Sequence, residues 1–197
     1  MADQAAGAAT AAEILLVMRE LGRRPFLPAD QRPYAGVDAP LPIGHGQTNS
    51  QPSTVLNMLE LLEVEPGASV LDVGCGSGWT TAILARLVGE TGRVLGVERI
   101  PELTRRARKA VEDQHLPWAQ VRQAIPGVLG LPDEGPYDRI LVSAQADTMP
   151  TELVDQLAPG GVMVVPVGWL MHRVRKDATG AVRDTTHGEY SFVPLIT

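Results

Sequence analysis

Hydrophobic positions along the chain follow two periods that take turns. Short apolar runs at 70–73, 93–98, 119–123, 137–143 and 162–167 read as strands of a buried sheet, each bounded by turn residues. Between them the spacing changes to that of helices. Ile14, Leu15, Val17, Met18 and Leu21 form an apolar stripe ending at Gly22, and helices are predicted at 53–62, 80–88, 102–114 and about 150–157. Two more strand-like segments, 171–176 and 189–194, flank the turn at Thr179-Gly180 and predict an antiparallel end to the sheet. The Ala-rich residues 1–10 are expected to fray. Residues 23–50, with prolines at 25, 28, 33, 40 and 42, read as a long irregular stretch, and loops of that length in a compact domain usually serve function or move. The sum is an α/β chain with a doubly wound, mostly parallel sheet and an antiparallel C-terminal edge, whose ligands belong beyond the carboxyl ends of the parallel strands. One domain is expected over 1–197: an N-terminal part at 11–62 and a ligand-binding core at 63–197.

Composition narrows the partners. At 197 residues and 44% hydrophobic, the chain can close one good core. A net charge of −6 argues against nucleic acid or an anionic membrane as the main partner, so the basic run Arg105-Arg106-Ala107-Arg108-Lys109 reads as a solvated helix face. No apolar run is long enough to span a bilayer, and the start has no basic n-region of a signal peptide. The single cysteine, Cys75, suits a reducing cytoplasm and reads as a packing residue. The four histidines show no paired metal-ligand spacing, and nothing resembles a coiled coil, so a metal-free monomer is expected.

The densest chemistry lies in Val70-Leu71-Asp72-Val73-Gly74-Cys75-Gly76-Ser77-Gly78-Trp79, where a strand, a glycine-rich turn and a helix start follow within a dozen residues. Glycines at alternate positions let the backbone turn sharply and let a ligand lie against it. A dinucleotide site has G-x-G-x-x-G, but here Trp79 stands where the third glycine would be, and G-x-G-x-G fits S-adenosylmethionine better. Glu98, at the end of the next strand, can accept both ribose hydroxyls. Dinucleotide enzymes place an acid at similar spacing, so Glu98 alone does not discriminate.

Upstream of this loop, Leu41-Pro42-Ile43-Gly44-His45-Gly46-Gln47-Thr48-Asn49-Ser50-Gln51-Pro52 resembles the signature of protein-L-isoaspartate O-methyltransferases. The resemblance continues through Val97-Glu98-Arg99, Gly135-Pro136-Tyr137-Asp138, Val165-Pro166-Val167-Gly168 and Phe192-Val193-Pro194-Leu195. It implies a cytoplasmic enzyme that uses S-adenosylmethionine to esterify the α-carboxylate of isoaspartyl residues in damaged proteins or peptides. For the site it implies Ser50 and Thr48 as catalytic residues orienting the substrate. The cofactor's surroundings would be Gln47, Asp72, Gly74, Cys75, Gly76, Ser77, Gly78, Glu98, Arg99 and Gly127. The bland reading of Ser50 is a cap on the helix at 53–62.

A carboxylate with a pKa near 4 is already ionised at neutral pH, so its attack on a sulfonium methyl needs no general base. Positioning and exclusion of water remain. The chain also departs from the family it resembles. Ile125-Pro126-Gly127 stands in place of Gly-Asp-Gly, whose aspartate accepts from the adenine amine, with Gln123 as the nearest substitute. Asn49 replaces an apolar residue, and Asp147 adds a charge after the fourth strand. Pro126 keeps two other readings open: a methyltransferase redirected to another carboxylate, and a binding module without catalysis. An NAD-dependent oxidoreductase is disfavoured by the glycine spacing.

Overall fold

The computed structural model describes residues 7–196. Its main sheet has seven strands: β3 (Ser69–Val73), β4 (Arg93–Glu98), β5 (Ala119–Gln123), β6 (Tyr137–Val142), β7 (Leu157–Val167), β8 (Leu170–Lys176) and β9 (Val182–Glu189). Their order is β5-β4-β3-β6-β7-β8-β9, with the first five parallel and the last two antiparallel. A separate two-stranded hairpin, β1 (Leu41–Gly44) and β2 (Gln47–Asn49), precedes it. The strand order reverses between β3 and β6, which opens a crevice at their carboxyl ends.

Alternation along each strand sorts side chains into two layers. Val70, Val94, Leu141 and Val164 face one core, while Leu71, Leu95, Ile140 and Met163 face the other. The first core is covered by α1 (Ala11–Leu21), α2 (Pro52–Leu62), α3 (Trp79–Val88) and α4 (Pro101–Glu112). The second receives the short helix α5 (Thr151–Asp155), the connection that carries Leu129 and Leu131, Ala146 and Met149 from the segment after β6, and Leu195 of the tail. Gly96 on β4 lets α3 come close: a Cβ there would stand 2.7 Å from Thr81 Oγ1 and 3.1 Å from Cys75 Sγ. Two of the basic residues on α4 also act as braces, Arg106 donating to the Ile43 carbonyl and Arg108 to that of Val121.

Three expectations change. Fraying does not extend to residue 10: Ala9 N–H donates to Val64 O, and Thr10 forms a capping box with Glu13 at the start of α1. Residues 1–6 of that expectation lie outside the described residues. The stretch 23–50 is not wholly irregular, because His45 and Gly46 both take positive φ (54° and 71°), the geometry of a two-residue hairpin turn that matches strand twist. The last strand is 182–189 rather than 189–194. Its polar residues, Arg183 to His187, exposed except for the half-buried Thr185 and His187, carry no apolar alternation, whereas the apolar tail after it leaves the sheet.

Candidate active site

The crevice at the carboxyl ends of β3, β4 and β5 holds a cavity of about 580 Å³, within the usual range for small-molecule sites. Gln47, Thr48, Gly74, Gly76, Glu98 and Arg99 all line it. A narrow recess of about 20 Å³ adjoins it, sharing Thr48, Gly74 and Gly76 and adding Ser50, Cys75 and Ser77. Asp72, Gly78 and Gly127 line neither.

The glycine turn is built by its own backbone. Gly74 and Cys75 both donate N–H to Val97 O, and Gly76 donates to Glu98 Oε2 at 3.1 Å. Gly74, Gly76 and Gly78 all have positive φ, between 53° and 83°, where a side chain is strained. At Gly78 space is lacking as well, since a Cβ would lie 2.9 Å from Val111 Cγ2 on α4. Gly78 thus serves helix packing, and Cys75 is buried in the first core with its thiol pushed well above the ordinary value by burial.

Two carboxylates make this end of the cavity electron-rich. Glu98 is 5% exposed; its two oxygens accept from Gly76 N–H and from Ile100 N–H, leaving further lone pairs on each. Burial raises its pKa against the pull of those N–H groups. Asp72 is fully buried, and burial raises its pKa to about 6 even though the Thr81 and Thr80 hydroxyls both donate to its Oδ2 at 2.7 Å. Its Oδ1 has no hydrogen-bond partner among the described residues. A ligand carrying hydroxyls and a positive charge meets what this end lacks, which is the chemistry of the ribose, ammonium and sulfonium of S-adenosylmethionine.

The opposite end is shaped by apolar groups. Ile125 to Val128 form a turn closed by Val128 N–H on Ile125 O, with Gly127 at φ 77°. Proline precedes the glycine that supplies the positive φ, which explains Ile125-Pro126-Gly127 as a local unit. Ile125, Pro126, Val128 and Leu129 line the cavity while Gly127 stays at the outer tip of the turn. Gln123 also lines it; its amide nitrogen is held by the carbonyls of Glu98 and Arg99, so its Oε1 remains as an acceptor. Asp147 is exposed and lies on neither wall.

Other wall residues had no signal in periodicity or spacing. Ser143 and Ala144 follow β6, and Val193, Pro194, Leu195 and Ile196 come from the tail. The tail is pinned to one residue, Gln145, whose N–H donates to Val193 O and whose carbonyl accepts from Leu195 N–H. Ser50 does not cap α2. That helix begins at Pro52, and the Ser53 N–H is met by Asp38 Oδ1 at 2.9 Å, which holds the Asp38 carboxyl below its ordinary pKa.

The model of the family described as protein-L-isoaspartate(D-aspartate) O-methyltransferase matches residues 2–197. A protein-L-isoaspartate O-methyltransferase of Aeropyrum pernix is 45% identical over 96% of this chain and 75% of its own length, and one of Methanopyrus kandleri is 47% identical over 91% and 81%. A crystal structure from Plasmodium falciparum, assigned to the same activity and holding S-adenosyl-L-homocysteine, superposes with a TM-score of 0.79 at 25% identity, covering 92% of this chain and 89% of that one.

Proposed function

The chain belongs to the protein-L-isoaspartate(D-aspartate) O-methyltransferase family, and from that premise we infer that it transfers a methyl group from S-adenosylmethionine to the α-carboxylate of L-isoaspartyl residues in proteins or peptides. The observation that carries this reading is the 580 Å³ cavity, with buried carboxylates at one end and the Gln47-Thr48 hairpin on its wall. S-adenosylmethionine supplies a methyl group on a positively charged sulfur, a leaving group that needs no protonation.

Glu98 holds the ribose hydroxyls, and the turn at Gly74 and Gly76 offers backbone without a side chain in the way. Asp72, beneath that turn, favours positive charge above it. Gln123 Oε1 accepts from the adenine amine, and Ile125, Pro126 and Leu129 cover the ring. The substrate carboxylate is already ionised, so no residue need remove a proton. Thr48 and the Ser50 hydroxyl orient it from the hairpin, and the tail from Val193 to Ile196 helps exclude water from the reacting groups. Among the described residues no helix is long and apolar enough to cross a membrane, and the one cysteine fits a reducing compartment such as the cytoplasm.

The test is radiolabelled methyl transfer to an isoaspartyl peptide, with the matching aspartyl peptide as control. Transfer to the first alone is expected. Calorimetric binding of S-adenosyl-L-homocysteine without transfer would mean a different carboxylate substrate or a binding module. Ser50→Ala should lower kcat about tenfold, the scale of one lost orienting hydrogen bond, and leave S-adenosyl-L-homocysteine affinity within about twofold. Unchanged kcat would remove Ser50 from the site.

A further inference from the structure

One buried polar network near the site has no part in the roles assigned above. Asn49, 4% exposed, sits between Thr48 and Ser50 and borders the narrow recess rather than the main cavity. Its Nδ2 donates to Ser77 Oγ in the glycine turn at 2.8 Å, and its Oδ1 accepts from Arg23 Nε. Arg23 is equally buried. Its guanidinium donates to the carbonyls of Val37, Ala39, Asn49 and Ser50 and lies 5.6 Å over the Trp79 ring, the first residue of α3. Burial lowers the Arg23 pKa to about 10, so it stays charged at neutral pH. Every polar atom of the Asn49 side chain is therefore engaged, one side to the N-terminal segment and the other to the turn that carries Gly74 and Gly76.

An apolar side chain at 49 could fill the space but make neither bond. A buried amide is costly unless both ends are met, so meeting both ends holds strand β2 in one register against the glycine turn. We propose that Asn49 is a positioning residue that couples the substrate hairpin to the cofactor turn: through Ser77 it sets where Thr48 and Ser50 stand relative to Gly74 and Gly76. The proposal rests on the assignment of the hairpin to substrate and the turn to cofactor. It predicts that a ligand bound at the turn also quiets the hairpin.

Hydrogen exchange of the full chain, with and without S-adenosyl-L-homocysteine, reads this coupling independently of turnover. In the wild type, amides of 41–50 and of 74–78 should both gain protection on binding. In Asn49→Leu the gain should persist at 74–78 and fall at least threefold at 41–50. Asn49→Asp keeps an acceptor for Arg23 and can accept from the Ser77 hydroxyl, so it should restore the hairpin's gain. Ser77→Ala cuts the same bond while leaving Arg23 paired, and it decides the matter if Asn49→Leu does not fold. Equal hairpin protection in wild type and Ser77→Ala would overturn the coupling, as would an Asn49→Asp variant that behaves like Asn49→Leu. In the methyl-transfer assay, the lost bond should lower kcat about tenfold, with KM for the peptide and ligand affinity little changed. If wild-type protein shows the exchange coupling but methylates no isoaspartyl peptide, the substrate reading fails and the coupling stands.

Discussion

The two ends of the cavity are made from different materials. At the Glu98 end, recognition is electrostatic: two buried carboxylates sit against a turn whose N–H groups are already directed by the fold. At the Ile125 end it is a matter of shape, with apolar side chains and one amide oxygen, that of Gln123, facing the cavity. The first end is fixed by donors the fold supplies: the Thr80 and Thr81 hydroxyls of α3 on Asp72, and the N–H groups of Gly76 and Ile100 on Glu98. The second is a local turn shaped by Pro126 and Gly127 and closed by the Val128 N–H on the Ile125 carbonyl. Affinity should therefore be concentrated at the acidic end, and the apolar end should tolerate change or improve.

Removing the charge beneath the acidic end should have the largest effect. With the folded pKa of Asp72 raised to about 6 against an ordinary 3.8, the folded chain binds a proton that the unfolded chain has released. The stability linked to that proton is complete below about pH 4 and is lost as pH rises through about 6, a cost on the order of 3 kcal/mol at neutral pH. Asp72→Asn should flatten the fall in melting temperature of the ligand-free protein between pH 4.5 and 7.5, while weakening S-adenosylmethionine binding. Parallel slopes in the two proteins would show that Asp72 titrates normally. Glu98→Gln comes next. It sets an amide N–H₂ against a backbone N–H and removes a ribose acceptor, so calorimetry should find S-adenosyl-L-homocysteine bound about a hundredfold more weakly. The smallest effect lies at the other end. Pro126→Asp supplies a carboxylate for the adenine amine, and affinity should rise by about five- to tenfold. A loss there as large as that for Glu98→Gln would mean that the turn's rigidity, rather than its lack of an acceptor, governs the apolar end.

Much of this was legible along the chain. The strands around Val70 and Val94, the glycine turn and Glu98 stand within a span of about thirty residues, and their order reflects local chemistry: buried strands are continuously apolar, and the turn needs positive φ at each glycine. The same locality explains the misplaced last strand. β9 is polar because it is an edge that faces solvent, and its pairing with β8 has no signature in its own residues. The tail, by contrast, is apolar because it covers a cavity.

By itself the sequence determined the alternation of strands and helices, the turn and its neighbouring acid, and the hairpin motif whose likeness to a known family named the substrate. Tertiary structure alone decided that Ser50 is free of capping duty, that Gly78 serves packing and Gly127 lies outside the cavity. It also decided that Ser143, Ala144 and a C-terminal tail pinned by Gln145 complete the wall, and that Asn49 meets Ser77 across 28 residues and Arg23 across 26. The physical reason is range. Propensity and backbone geometry act over a few neighbouring residues and leave their mark there, whereas a hydrogen bond between distant segments depends on the packing that brings them together.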